Sequence, residues 1–231
     1  MTGAPVVPAR ALLFDFGGTL DAPGVPWKER FYRIARQEGL DLPQSEFDPA
    51  FYGATDALEG TIPADAGLRE TVDRVASGLA DRLHREPSLL RRIGMRFYDD
   101  SARQIAESAA LLSRLRPRYR VGVVSNFYGN LQAVLDETGL GASVEAAIDS
   151  TRVGCKKPDA RIFRAALDAL DASPEEAVFV GDSPTRDMDG ARAMGMRHVW
   201  LRPADAPGGR APCCPEDRVI RRLAELLELP L

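Results

Sequence analysis

ALLFDFGGTLDAPG, residues 11 to 24, begins as a strand and breaks into a loop at a carboxylate. Ala11 to Phe16 is a short apolar run, interrupted only by Asp15 and without regular polar alternation. That is the pattern of a strand buried on both faces. Gly17, Gly18 and Thr19 then turn the chain away. A strand covered on both sides needs helices to cover it, so the fold depends on whether strands and helices alternate downstream.

After residue 100 they do. Tyr119 to Ser125 (YRVGVVS), Val144 to Ile148, Ala177 to Val180 and Arg197 to Leu201 (RHVWL) read as strands. Leu131 to Thr138, Arg161 to Leu170 and Asp187 to Met194 read as helices, the last closed by Gly195. Ser101 and Gln104 make a capping-box pattern ahead of Ile105, Leu112 and Leu115, and Ser173-Pro174 starts a single turn. A Pro- and Gly-rich loop covers 203–215, and a final amphipathic helix is expected to carry Val219, Leu223, Leu226 and Leu227. This rhythm predicts an α/β fold, a Rossmann-like parallel sheet covered by helices on both faces. From about 22 to 100 the strand signal vanishes. Phe31, Ile34 and Ala35 share a helical face, as do Val72, Val75 and Leu79, and Pro43, Pro49, Pro63 and Pro87 divide the region into several helices. The expected organisation is a flexible N-terminal tail at 1–9, an α/β core at 10–21 and 101–231, and a helical insert at 22–100.

Composition narrows the function. The chain has 231 residues, a net charge of -4, 45% hydrophobic and 28% charged residues, which is ordinary for a globular protein. Its pI of about 5.4 argues against a nucleic-acid partner, which favours a basic surface. No apolar run approaches the roughly 18 residues that span a bilayer, and MTGAPVVPARALL does not read as a signal peptide. Three cysteines, two of them adjacent (Cys213 and Cys214), make no disulfide framework, so a reducing cytoplasm is the expected compartment. The only lysines are Lys28, Lys156 and Lys157, so each needs a reason.

In open parallel sheets ligands bind beyond the carboxyl ends of the strands. Three predicted strands end there in polar residues: Asp15, Ser125-Asn126 and Gly181-Asp182. A fourth polar cluster, Gly154-Cys155-Lys156-Lys157-Pro158, precedes a helix. Each alone reads as a turn former, a cap or a solvated lysine. Together, in this order and at these positions, they point to one site.

FDFGGTL, VVSN, KKPDARIF and VFVGDSPTRDMDGA resemble the four motifs of the haloacid dehalogenase superfamily, whose members are mostly phosphatases. They span 11 to about 195, and the insert sits where that superfamily places a helical cap. The resemblance implies a hydrolase of a small phosphorylated metabolite, alongside the expectation from charge and hydropathy of no nucleic-acid or membrane partner. Asp15 would be the nucleophile, forming an aspartyl-phosphate. Asp15, the Gly17 backbone carbonyl, Asp182 and Asp187 would hold Mg²⁺, a hard cation suited to oxygen ligands, with Asp187 acting through water or orienting Lys157. Ser125, the Asn126 amide and Lys157 would bind phosphate oxygens. Lys156 would be a surface residue, and Thr19 would brace the first motif.

Gly17 departs from the pattern. The superfamily's second carboxylate, which protonates the leaving alcohol and then activates water, belongs there. A positioned acid or base is worth about 10²- to 10⁴-fold, and glycine supplies neither. Three readings follow: a weak or inactive relative, an enzyme for substrates with good leaving groups, or a substitute carboxylate. Asp21 is the nearest substitute in sequence, with Glu29, Asp56 and Glu59 more distant. Dehalogenase-like chemistry needs no metal, and Asp182 and Asp187 argue against it. Phosphonatase-like chemistry would use Lys28 as a Schiff base, whereas WKERF reads as a plain helix start with Lys28 solvated. A phosphate-binding or regulatory protein without turnover shares the same motifs.

Overall fold

The structure, a computed structural model, describes residues 7–203 and 218–231. Cys213, Cys214 and most of the expected 203–215 loop lie outside the described residues. Strand β1 (Ala11–Phe14) leads through a tight turn at Phe16–Leu20 into four helices: α1 (Trp27–Gln37), α2 (Gln44–Asp56), α3 (Leu68–Leu83) and α4 (Pro87–Leu115). Then follow β2 (Arg120–Ser125), α5 (Leu131–Glu137), β3 (Ala146–Asp149), the single turn α6 (Ser150–Val153), α7 (Ala160–Ala169), β4 (Ala177–Gly181), α8 (Asp189–Ala193), β5 (Arg197–Leu201) and β6 (Arg218–Ile220).

The six strands among the described residues are all parallel and lie in the order β3-β2-β1-β4-β5-β6. The order reverses between β1 and β4, which is the topological switch point where such sheets bind ligands. Phe14 pairs with Val123 on one side and Val180 on the other. The three central strands therefore end nearly level, and Asp15, Ser125 and Asp182 emerge along one edge.

The sheet is buried on both faces, as the unalternating apolar runs require. Leu12, Phe14, Val121, Val123, Val178 and Val180 pack toward the α1–α4 side and α5, while Ala11, Leu13 and Phe179 pack against Ile162 and Phe163 of α7 and Ala191 of α8. The α/β fold expected from the sequence is present.

Two expectations of detail fail. Ser101 does not cap a helix start: α4 runs unbroken from Pro87 to Leu115, so the 100/101 boundary falls in mid-helix. The Ser101 hydroxyl is buried and accepts from Arg30 Nη2 at 2.8 Å. Nor does a helix carry Val219. That residue lies in β6, an edge strand paired to β5, and only Leu223–Leu227 is helical, as a 3₁₀ segment.

Candidate active site

The chemistry-bearing residues of four separate segments meet at the switch point. Lys157 Nζ lies 2.7 Å from a carboxylate oxygen of Asp15 and 2.7 Å from one of Asp187, and all three residues are buried. The Ser125 hydroxyl donates to the same Asp15 oxygen at 3.1 Å. Asp15 is held in place by its own backbone, whose N–H donates to Val180 O at 2.9 Å and extends the β1–β4 ladder past the last strand residue. Asn126 acts first on the chain of Lys157. Its side-chain oxygen accepts the Lys157 N–H at 2.7 Å and its amide nitrogen donates to the Lys157 carbonyl at 3.2 Å. The loop after β2 is anchored in turn by Asp149, which accepts from the Gly129 and Leu131 amides.

The carboxylates of Asp15, Asp182 and Asp187 bring oxygens within 4.8 Å of one another. Three anions at that spacing in a buried site repel strongly unless a cation intervenes. Lys157 serves Asp15 and Asp187 but not Asp182, whose two carboxylate oxygens are buried without a hydrogen-bond partner. Burial first, then the charges of Asp15 and Asp187, push the Asp182 carboxyl well above its ordinary range. Burial and Asp15 also raise Asp187, against the pull of Lys157. Burial pulls the Lys157 ammonium down, and the two carboxylates more than offset it, leaving its pKa above the ordinary lysine value.

Two glycines leave room for this cluster. Gly18 has φ +94°, and a Cβ there would lie 2.4 Å from Asp182 Oδ2. A Cβ on Gly181 would lie 2.4 Å from Asp187 Oδ2. A side chain at either position would fill the space the carboxylates use. An all-oxygen donor set of three aspartates, one of them orphaned, fits a hard divalent cation such as Mg²⁺.

The cluster opens into a cavity of about 350 Å³ whose lining includes Asp15, Gly17, Ser125, Asn126 and Lys157 from the sheet edge, and Trp27, Lys28, Tyr52, Asp56 and Glu59 from the α1–α4 insert. Arg186 also lines it. Burial draws this guanidinium down, but the charges of Asp15, Asp187 and Asp182 hold its pKa above the ordinary value. Sequence reading passed over Arg186, although its place next to Asp187 in the fourth motif was a usable signal.

Asp21 does not fit the role of substitute acid. It is fully buried, and both carboxylate oxygens are engaged. One accepts the Gly18 N–H at 2.7 Å; the other accepts Trp27 Nε1 at 2.7 Å, Arg30 Nη1 at 2.8 Å and the Ser101 hydroxyl at 3.3 Å. It is not among the residues lining the cavity with Asp15. Lys28 is not solvated either. It pairs with Asp48 at 2.6 Å and Glu29 at 3.3 Å. These partners outweigh the downward pull of burial and raise its pKa, whereas Schiff-base chemistry needs a neutral amine. Lys156 is exposed and ion-pairs with Glu59. Thr19 is buried, and its hydroxyl makes no hydrogen bond, so it braces the loop only by packing. Cys155 is a buried free thiol.

Residues 9–195 match the profile of the haloacid dehalogenase-like hydrolases. The chain belongs to that family. It is 37% identical to mouse haloacid dehalogenase-like hydrolase domain-containing protein 3 over 94% of this chain and 92% of that one. It is 32% identical to phosphoserine phosphatase of Thermus thermophilus over 80% of this chain and 72% of that one. Among solved structures, a dehalogenase with an intermediate complex superposes with a TM-score of 0.67 at 22% identity, covering 97% of this chain and 98% of that one. That likeness shows the fold alone. A haloacid dehalogenase-like hydrolase with a buried lysine–aspartate cluster at the switch point is thus what this sequence encodes. No helix among the described residues is long and apolar enough to cross a membrane.

Proposed function

We propose that this hydrolase is a Mg²⁺-dependent phosphatase of a small phosphorylated metabolite, working through an aspartyl-phosphate on Asp15. The observation that carries the proposal is the orphaned Asp182 carboxylate beside the Lys157-paired Asp15, which lines a cavity. Asp15, Asp182, Asp187 and the main chain at Gly17 would hold the ion. When bound, Mg²⁺ supplies positive charge that offsets the repulsion between a carboxylate nucleophile and an anionic phosphate.

The chain's own residues supply the rest. Asp15 attacks phosphorus, the new carboxylate O–P bond forms and the ester O–P bond breaks. Lys157, the Ser125 hydroxyl and the Asn126 backbone N–H bind the phosphoryl oxygens and fix the phosphate in line with Asp15. Water then attacks the aspartyl-phosphate, releasing inorganic phosphate and restoring Asp15. The helices of the insert act as a cap that contributes the walls around the leaving group. With glycine at 17, the leaving oxygen takes its proton from solvent. The name of the Thermus relative supports phosphate-ester hydrolysis, and the cytoplasm remains the proposed compartment.

Gly17 favours a second reading, a phosphate-binding protein with slow or no turnover. A dehalogenase reading is disfavoured, because three clustered aspartates without a cation would repel an anionic haloacid. The test is phosphate release from acetyl phosphate, a mixed anhydride whose acetate leaves without needing a proton. Turnover that requires Mg²⁺, stops with a chelator and is lost in Asp15→Asn supports the phosphatase. Tight phosphate binding without release favours the second reading.

A further inference from the structure

The place beside Gly17 is bordered by Trp27. A Cβ at residue 17 would lie 3.4 Å from both Cδ1 and Nε1 of that indole. The ring edge thus stands in van der Waals range of the point where a second carboxylate would begin. Trp27 is not free to swing away. Its Nε1 donates to Asp21 at 2.7 Å, and Asp21 is itself fixed by Arg30 and the Gly18 amide. The ring packs edge-on against Phe127, centroids 6.0 Å apart, and lies 6.4 Å from Tyr128. Phe127 and Tyr128 are themselves in contact at 4.8 Å.

The insert adds Phe51 and Tyr52, neighbours on α2, and all five aromatic residues line the cavity that contains Asp15. Tyr52 is 52% exposed, and with Lys28 Nζ over one face of its ring, 5.5 Å from the centroid, the other face is what it can offer a ligand. Three acids share the wall, but Glu29 is paired with Lys28 and Glu59 with Lys156. Asp56 is the remaining competitor for the role of proton donor.

Two independent features therefore select the same kind of leaving group. The nucleophile loop has no acid at 17, so departure depends on how well the leaving oxygen bears negative charge. Part of the wall next to it is aromatic, alongside the charged Lys28, Glu29, Asp56, Glu59 and Arg186, and can hold a planar ring by offset or edge contacts. We propose, building on the phosphatase reading above, that the substrates of this site are aryl phosphate monoesters. Asp15 takes the phosphoryl group, the phenolic oxygen keeps the electron pair of the broken O–P bond and departs as a phenoxide, and solvent protonates it afterwards. Trp27 and Tyr52 position the ring.

The experiment is the dependence of kcat/KM on leaving-group pKa, across substituted phenyl phosphates and alkyl phosphates at saturating Mg²⁺, with acetyl phosphate as reference. The expected result is a steep fall with rising leaving-group pKa in the wild type. Gly17→Asp should flatten it, restoring alkyl phosphate turnover by up to about 10²- to 10⁴-fold, the worth of a positioned acid. The wild-type slope stands as a test even if that variant does not fold. Tyr52→Ala should raise KM for phenyl phosphate about 2- to 12-fold relative to acetyl phosphate, the value of one aromatic contact. A flat wild-type slope, with alkyl and aryl phosphates turned over equally, overturns the inference while leaving the phosphatase reading intact. A flat slope that steepens in Asp56→Asn would also overturn it, assigning the proton to Asp56. Absence of Mg²⁺-dependent acetyl phosphate hydrolysis would overturn both readings together.

Discussion

Lys157 Nζ lies 2.7 Å from a carboxylate oxygen of Asp15, in a site where both side chains are almost wholly shielded from water. The same ammonium serves Asp187, so one cation holds two of the three clustered aspartates. Removing it leaves two buried carboxylates uncompensated. Lys157→Met should lose catalysis and cost about 3–5 kcal/mol of stability, as broken buried pairs do. Denaturant unfolding without metal checks the second number. A loss below 1 kcal/mol would mean that the pair is solvated in solution.

Asp182 behaves oppositely, because among the described residues neither of its carboxylate oxygens has a hydrogen-bond partner. Asp182→Asn removes a buried charge that sits near two others. Without metal the variant should be more stable than wild type, by up to about 3 kcal/mol, the size of one like-charge contact at about 5 Å in an effective dielectric near 20. For a chain of this size that is about 2–4 °C in Tm per kcal/mol. The stabilisation that Mg²⁺ gives the wild type should vanish in the variant. Thermal melts with and without Mg²⁺ measure both effects, and an unchanged Mg²⁺ shift would remove Asp182 from the metal site.

The raised carboxyls of Asp182 and Asp187 give a pH dependence with a definite sign. The folded state holds their protons more tightly than the unfolded chain does. Their contribution to stability is therefore fully present below the unfolded carboxylate pKa of about 3.9, and it is lost as pH rises through the raised folded values. Metal-free protein should lose stability over that window, and Mg²⁺ should offset the loss because it replaces the protons. Melts from pH 4 to pH 8 would show the Mg²⁺ shift growing with pH. A shift that shrinks with pH contradicts this assignment.

Asp21 supports the site from outside it. Through the Gly18 amide and the Trp27 indole it fixes the loop after Asp15 and the wall beside Gly17. Asp21→Asn keeps the shape but breaks the charge pairing with Arg30. It should lower kcat by a similar factor for phenyl and acetyl phosphates and lower stability. A substitute acid would behave differently, losing most on poor leaving groups and little on acetyl phosphate. The ratio of the two losses separates the roles.

The parts of the site that the sequence made legible are those fixed by strand ends. Asp15, Ser125 and Asp182 follow buried apolar runs, and in a parallel sheet with level strands their meeting is geometrically forced. Lys157 could be placed only through its motif, because the loop that carries it is aimed by Asn126 from another segment. The partners of Asp21 could not be read from the sequence because tertiary packing sets them: Arg30 lies on α1 and Ser101 eighty residues away on α4. Ser101 itself misled through a local pattern that looks the same inside a helix as at its start. The segment around Val219 went wrong for a related reason, since β6 exists through pairing with β5 and local apolar spacing does not reveal such a partner. Trp27 looked like an ordinary helix start, and its position against Gly17 required the insert to be folded onto the sheet.

The covalent role of Asp15 is tested most directly by trapping. Protein mixed with phosphoryl-labelled acetyl phosphate and quenched within a single turnover should carry the label, in acid-stable but alkali-labile form, only when Mg²⁺ is present. The label should map to the peptide containing Asp15 and be absent from Asp15→Asn. Phosphate release at a wild-type rate by Asp15→Asn, or label on any other residue, would contradict the account.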